Sequence, residues 1–453
     1  MKVLIAGAGK IGFSIAEILA AEGHEISVID RNSESISFVS NNLDVICFEG
    51  NAANPQVLME AGAAQADLVV AVSEKDETNM ICAIISRKLG ASHAIARVRD
   101  PEYLNQREFF SEALGLSLIV NPEYECAQEI SRIIRFPGAV RVDTFSKGNL
   151  EIVEYRVGPG DKLEGVSLKD LPEISGAKVL VSLVERDRDA IIPNGSFVLR
   201  RGDRLSISGA AEQLKKFFSA CGHGFRRIKH TIIVGGGRTS VYLARLLQEH
   251  GIAVTIIEMD YERCRRLSDL LPKARIICGD ATNSEVLQEE GISSADAFVT
   301  LTGNDGVNII CSMYAKTQGN MKIVTKVNRG HFLDILDDFG LDSIVAPKEL
   351  VTEQLVRYAR AMNNRQSSNM EALYRLADGK VEALEFKVCD QSGCTGKPIS
   401  QLSLKPNIII CALIRNRHCI IPDGSTIIEP GDHAVVICPA GKLLSLDDML
   451  EVK

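Results

Sequence analysis

Apolar and polar positions follow two rhythms over the first hundred residues. Continuous apolar runs at 2–6, 25–29, 44–48, 67–72 and 93–98 are separated by stretches at 10–22, 33–41, 54–60 and 76–88 whose apolar residues recur at helical spacing. Short apolar strands alternating with amphipathic helices predict a parallel sheet with helices on both faces. Near 121 the rhythm changes. NPEYECAQEISRIIRFPGA sets Cys126, Ala127, Ile130, Ile133 and Ile134 on one helical face and stops at Pro137-Gly138. Three roles stay open for this helix: crossing to the next module, dimerisation, or covering the sheet edge. Further on, short strands are punctuated by Pro-x-Gly at 193–195 and by Gly202-Asp203. Such corners predict hairpins in a small α+β module of about 80 residues.

The pattern then begins again. VLIAGAGKIGFSIAEILAAEGHEISVID at 3–30 matches TIIVGGGRTSVYLARLLQEHGIAVTIIE at 231–258, with Gly7 on Gly235 and Asp30 on Glu258. At a shift of 229, ADLVVAVSEKDETNMICA at 66–83 meets ADAFVTLTGNDGVNIICS at 295–312, pairing Asp76 with Asp305 and Asn79 with Asn308. The same shift carries IIPNGSFVLRRGDRLSI at 191–207 onto IIPDGSTIIEPGDHAVV at 420–436. APKELVTEQLVRYARAMNN, from Ala346, repeats the helix that follows the first sheet. The chain is a tandem duplication. The expected fold class is α/β: two copies of a Rossmann-like parallel-sheet domain, each followed by a small α+β domain.

Composition narrows the function classes. Hydrophobic residues at 45% and charged residues at 24% exclude disorder for most of the 453 residues. Lys+Arg 51 against Asp+Glu 59 leaves a net charge of −8, a poor basis for binding nucleic acid. The twelve cysteines form no Cys-x-x-Cys pair, and several sit in apolar runs, as reduced buried thiols do. The groupings Cys389 with Cys394 and Cys411 with His418 and Cys419 fit no common zinc spacing, so no metal is expected. No apolar run reaches the 18 or so residues of a membrane span, and MKVLIAGAGKIG reads as a first strand rather than a leader.

The glycines carry the candidate chemistry. Gly7-x-Gly9-x-x-Gly12 follows a strand and opens a helix, and Asp30 ends the next strand. In that context the first glycine permits a tight turn, the second admits a pyrophosphate and the third allows close helix–strand packing. The helix N-terminus offers free N–H groups to phosphates, and Asp30 can accept from ribose hydroxyls. Arg31 leaves room for a 2′-phosphate. In the second copy Gly235-Gly236-Gly237-Arg238-Thr239-Ser240 keeps two glycines, replaces the third with serine and keeps an acid at Glu258. Nucleotide binding and a purely structural unit both stay open there. Ligands of such sheets lie across the carboxyl ends of strands. That rule adds Asn51 and Asp280 after the third strands, Ser73, Glu74 and Thr302 after the fourth, and Arg97 and Lys326 on the fifth.

A dehydrogenase needs a second domain that brings substrate and an acid–base group to the nicotinamide. Here a small module follows, with His223 alone near its end, and then the chain repeats; His418 and His433 of the second small module have no counterparts in the first. Sensing is the expectation. The alternatives are an NAD-dependent oxidoreductase with duplicated Rossmann domains, or a nucleotide-binding assembly factor without a channel.

GAGKIG with Asp30, VAVSEKDETNM at 70–80, IARVRDPEY at 95–103 and the paired small modules resemble the TrkA family over essentially the whole chain. These are cytosolic regulatory subunits of Trk potassium uptake systems, built from tandem RCK (KTN) domains. The resemblance implies N-terminal RCK domains at 1–122 and 228–347 and C-terminal ones at 140–222 and 370–453. It implies NAD(H) on Gly7, Ala8, Gly9, Lys10, Ile11, Asp30, Ser73, Glu74 and Arg97, beside the Gly12 of the glycine pattern. NAD(H) or ATP/ADP would sit on Gly235, Gly236, Gly237, Arg238, Thr239, Glu258 and Lys326. It also implies no catalytic residues and a homo-oligomeric dimer or tetramer ring. That ring would sit in the cytoplasm, at the inner face of the membrane, beneath a Trk-type potassium channel subunit.

Overall fold

The computed structural model describes residues 1–451 apart from 105, 137–138, 159, 188, 222–227, 329–339, 342, 366–368, 378, 391, 442 and 444. Pro137-Gly138 and His223 therefore lie outside the described residues.

In the first copy, β1 (Lys2–Ala6), β2 (Glu25–Asp30), β3 (Ile46–Glu49), β4 (Leu68–Ala71), β5 (His93–Arg97) and β6 (Leu118–Val120) form a sheet in the order β3-β2-β1-β4-β5-β6. All its pairings are parallel. Helices Lys10–Ala21, Ser33–Asn42 and Asp76–Leu89 connect the strands. The continuous apolar runs are explained by burial on both faces: Val3, Leu4, Ile5 and Ala6 are all buried, as is every residue of β4. The order reverses direction between β1 and β4, so the loops after these strands diverge and leave a crevice at their carboxyl ends.

The small module contributes β7 (Ala139–Phe145), β8 (Leu150–Arg156), β9 (Leu180–Arg186), β10 (Asp189–Ile191) and β11 (Arg204–Gly209), antiparallel in the order β10-β9-β11-β8-β7. The second copy repeats both sheets. Its Rossmann-like sheet holds β12 (His230–Val234), β13 (Ala253–Glu258), β14 (Arg275–Cys278), β15 (Ala297–Thr300), β16 (Lys322–Lys326) and β17 (Ile344–Val345), ordered β14-β13-β12-β15-β16-β17. Its small sheet holds β18 (Met370–Leu376), β19 (Val381–Lys387), β20 (Ile409–Arg415), β21 (His418–Ile420) and β22 (His433–Pro439), ordered β18-β19-β22-β20-β21. The two small sheets have the same connectivity.

Gly202-Asp203 and Gly431-Asp432 are indeed corners, with φ of +91° and +88° at the glycines. Each aspartate is nearly inaccessible and receives a forked arginine: Arg186 on Asp203 at 2.7 Å twice, Arg415 on Asp432 at 2.8 Å twice. The two small modules differ in one element. The first small module carries a helix, Ala211–Ala220, that buries Leu214, Phe217 and Phe218. The matching segment of the second is a short 3-10 turn, Leu446–Met449, closed by a Ser445/Asp448 capping box. Among its described residues the second module is strands and 3-10 turns: Leu443, Leu446 and Met449 of LLSLDDM join its core where AEQLKKFFSA buries Leu214, Phe217 and Phe218 on a helical face.

The modules group by kind. One compact unit comprises Met1–Ser131 with Lys229–Ala359, and the other Arg132–Ile228 with Arg360–Lys453. The unit limits fall inside helices Pro122–Arg135 and Pro347–Arg365, so each helix carries the chain out of the first unit. Within that unit the two copies touch directly. Asn121 Nδ2 donates to the Tyr242 hydroxyl at 3.3 Å, and the Tyr124 and Tyr242 rings meet edge-on at 5.4 Å. Among the described residues no helix is long and apolar enough to cross a membrane.

Candidate functional site

Each glycine of the first loop has its own steric reason. Gly7 has φ of +118°, and a Cβ there would stand 2.7 Å from the Ser73 backbone nitrogen. A Cβ on Gly12 would stand 1.8 Å from the Gly7 carbonyl oxygen, whereas one on Gly9 would meet nothing within 4 Å. Gly9 is thus free of the scaffold and borders open space at the N-terminus of helix Lys10–Ala21, where backbone N–H groups are unspent. Asp30 closes the loop. Its Oδ2 accepts from the Ala8 N–H at 2.7 Å and its Oδ1 from the Asn32 N–H at 2.9 Å.

The second loop solves the same problem differently. Gly235 repeats the turn at φ +96°, and Gly237 again borders open space. Ser240 stands where the first loop has Gly12 and donates its hydroxyl to the Gly235 carbonyl at 2.5 Å. Glu258, nearly buried, accepts from the Gly236 N–H at 2.6 Å and the Asp260 N–H at 2.9 Å. The longer acid fits because Gly236 stands where the first loop has Ala8; a Cβ on Gly236 would meet Leu267 at 2.4 Å and Glu258 at 3.0 Å.

A cavity of about 580 Å³ lies over the first loop. Gly7, Gly9, Lys10, Ile11, Asp30, Ser73, Glu74 and Arg97 line it, together with Arg31, Lys75, Thr78, Arg99 and Lys348. Ala8, Gly12 and Asn51 are not among its walls. Ala8 binds Asp30, Gly12 packs beneath Gly7, and Asn51 accepts from the Ala53 N–H at 3.1 Å and from Arg31 at 3.3 Å. Arg31 is therefore tethered beside the acid. A larger cavity of about 1280 Å³ covers the second loop. Gly235, Gly236, Gly237, Arg238, Thr239, Glu258, Asp280, Thr302 and Lys326 all line it. Asp280 accepts from the Thr282 N–H and hydroxyl at 2.9 and 2.8 Å, which holds its carboxyl below the ordinary aspartate range.

Several residues of this region escaped the sequence reading. Asn79 is inaccessible and clamps the ends of β4 and β5: Oδ1 accepts from the Ser73 N–H (2.8 Å) and hydroxyl (2.6 Å), and Nδ2 donates to the carbonyls of Ser73 (3.0 Å) and Arg97 (2.9 Å). Asn308 makes the same four bonds to Thr302 and Lys326. Their identity across the repeat was the available signal. The basic ends of the fifth strands are held from behind. Arg97 donates to the Ser73 carbonyl at 2.6 Å and Lys326 to the Leu301 carbonyl at 3.2 Å. Burial pulls both below their ordinary pKa values; for Arg97 the neighbouring Arg99 adds to the effect.

Each cavity also receives a residue from the other copy, at equivalent helix starts. Lys348 follows Pro347 and lines the first cavity; Glu123 follows Pro122 and, with Pro101, lines the second. The opposite signs fit a wider contrast. Six basic side chains (Lys10, Arg31, Lys75, Arg97, Arg99 and Lys348) line the first cavity against two acidic ones, Asp30 and Glu74. In the second, Arg238, Arg245, Arg263, Arg266 and Lys326 face five acids, Glu123, Glu258, Asp260, Glu262 and Asp280.

The TrkA-N domain matches residues 3–122 and 231–347, and the TrkA-C domain matches 152–222 and 384–451. The chain belongs to the TrkA family. A Trk system potassium uptake protein TrkA homolog of Archaeoglobus fulgidus is 32% identical, over 99% of this chain and 100% of that one. The Trk system potassium uptake protein TrkA of Vibrio alginolyticus is 31% identical, over 98% of this chain and 97% of its own. Solved structures share the TrkA architecture. The GsuK channel superposes with a TM-score of 0.64 at 20% identity, over 97% of this chain and 76% of that chain. The GsuK channel bound to NAD superposes with a TM-score of 0.63 at 19% identity, over the same shares.

Proposed function

We propose that this TrkA-family chain is a nucleotide-sensing regulatory subunit that gates a Trk-type membrane potassium channel or transporter, binding its ligands without turning them over. The observation that carries the reading is the doubled glycine-loop cavity. Each has a helix N-terminus for phosphate, an acid at the end of the second strand, and a cation at the end of the fifth. The first cavity, rich in cations and closed by Asp30, takes NAD(H). The second, wider and balanced in charge, takes NAD(H) or ATP/ADP. Lys348 and Glu123 tie each cavity to the other copy, so a ligand that favours one arrangement of the two copies shifts their equilibrium by its difference in affinity. Homo-oligomerisation as a dimer or tetramer ring on the cytoplasmic face would pass that shift to the membrane subunit.

Calorimetric titration of the full chain with NADH and with ATP tests the reading. Asp30→Ala is expected to weaken NADH at the first site about tenfold, the worth of a lost charge-assisted hydrogen bond. Unchanged affinity refutes the site. Steady oxidation of NADH with a metabolite would favour an oxidoreductase instead, and failure to alter potassium flux through a Trk membrane subunit would favour an assembly factor.

A further inference from the structure

His433 has no histidine counterpart in the first copy. It opens β22 where Arg204 opens β11, and Glu385 of β19 stands where Glu154 stands in β8. In the first module the pair is an ordinary ion pair: Arg204 Nη1 lies 3.2 Å from Glu154 Oε1. A β-bulge precedes it, between Ala139 and Arg141, with Val140 as the extra residue. The second module keeps the bulge, between Met370 and Ala372, but fills it with Glu371. Two arginines, Arg141 and Arg204, are thereby replaced by alanine and histidine, and a valine by a carboxylate. Lys387 opposite His433 and Arg156 opposite Arg204 are both exposed and do not distinguish the modules.

The outcome is a converging donor set. His433 Nδ1 lies 2.8 Å from Glu371 Oε2 and 3.1 Å from Glu385 Oε1, and the three donor atoms fall within 4.8 Å of one another. Glu385 is only 4% exposed, and Ser146 of the first small module fixes it, donating its N–H to Oε2 at 3.1 Å and its hydroxyl to Oε1 at 2.5 Å. Where the first module supplies its own cation, the second presents two carboxylates and an imidazole with no fixed positive charge between them.

We propose that Glu371, Glu385 and His433 bind a divalent transition-metal ion of the zinc type. Tetrahedral coordination at about 2.0–2.1 Å sets neighbouring ligand atoms about 3.3 Å apart, so the observed spacing needs only small outward movement. The imidazole selects zinc-like ions over calcium or magnesium, which take oxygen donors. Water would complete the sphere. Ser146 orients one ligand from outside it, so the ion tightens the seam between the two small modules. Around it Phe145, Leu150 and Ile152 share an apolar cluster with Val381, Ala383 and Val435, and the Tyr374 hydroxyl donates to the Thr144 carbonyl at 2.6 Å.

The test is Zn2+ titration of the chelator-stripped full chain by calorimetry and thermal unfolding, with Co2+ as an optical probe. One saturable site that raises the unfolding temperature is expected. Glu371→Gln and His433→Arg should each weaken binding at least about tenfold. His433→Arg, restoring the cation of the first module, should also stabilise the metal-free protein. Absence of saturable binding overturns the proposal. So does binding that both variants retain, which would place the ion on exposed thiols such as Cys278 and Cys389.

Discussion

The Ser240 hydroxyl donates to the Gly235 carbonyl at 2.5 Å, at the place where a Cβ on Gly12 would stand 1.8 Å from the Gly7 carbonyl oxygen. The two copies thus fold the same turn with and without the third glycine of the dinucleotide pattern. Serine there is not a sign of a decayed loop. Ser240→Gly is expected to cost about 1–2 kcal/mol, from a lost hydrogen bond and a glycine placed in a helix. In the first loop, Gly12→Ala and Gly12→Ser should both destabilise, because either side chain carries the Cβ that would stand 1.8 Å from the Gly7 carbonyl oxygen. Urea midpoints of the four proteins check this; a Gly12→Ala midpoint equal to the parent's would refute it.

Asn79 and Asn308 are each inaccessible and each span the ends of two strands with four hydrogen bonds. Removing the amide strands the Ser73 N–H and the Arg97 carbonyl in the first copy, where the Ser73 carbonyl keeps its bond from Arg97, and one N–H and two carbonyls in the second. Asn79→Ala and Asn308→Ala are each expected to cost about 3 kcal/mol or more, since every unsatisfied buried group costs about 1–3 kcal/mol. Asn79→Asp should not rescue, because its second oxygen would face the carbonyls of Ser73 and Arg97. Denaturant unfolding within about 1 kcal/mol of the parent would show that the clamps are dispensable.

Much of this was legible in the chain. The apolar runs and helical spacings located the first five strands of the first sheet to within a residue or two, because parallel strands buried on both faces leave uninterrupted apolar runs; the three-residue edge strand β6 is too short to leave one. The repeat extended that reading to the second copy. The second small module departs because matching turns do not guarantee a matching helix: Phe217 and Phe218 have no equivalents in LLSLDDM. The cavity-lining residues at the strand ends were legible for the same reason as the strands. Lys348 and Glu123 were not, since their place in the opposite copy's cavity follows from packing between copies and leaves no local pattern. Asn79 showed only as an invariant of the repeat.

Lys348 is one of six basic side chains around the first cavity, which holds two acidic ones, while the second cavity has five of each. Nucleotide affinity at the first site should therefore fall more steeply with salt than at the second, as screening weakens a cationic pocket more than a balanced one. Lys348→Ala is expected to weaken the first site about three- to tenfold, an exposed or half-buried charge contact being worth about 1 kcal/mol, and to leave the second unchanged. Calorimetry at low and high ionic strength reads both effects. Equal salt slopes at the two sites would count against the electrostatic difference.

Lys326 gives the second site a pH dependence whose sign is fixed. Burial holds its ammonium below the ordinary lysine value of 10.5, with Cys126, Asp305 and Glu123 pulling the other way. Between the folded value and 10.5 the unfolded chain carries the extra proton, so the stability of the free protein rises with pH across that window. A phosphate beside Lys326 favours the charged form and raises its pKa, so binding takes up a proton in the same window. Affinity for ATP or ADP should therefore fall as pH climbs towards 10.5. Lys326→Arg, which stays charged, should flatten that slope while leaving the first site's profile untouched. Titrations in buffers of different ionisation enthalpy count the protons directly. A second-site affinity that stays constant to the top of the window, with no proton uptake, would remove Lys326 from the phosphate's contacts.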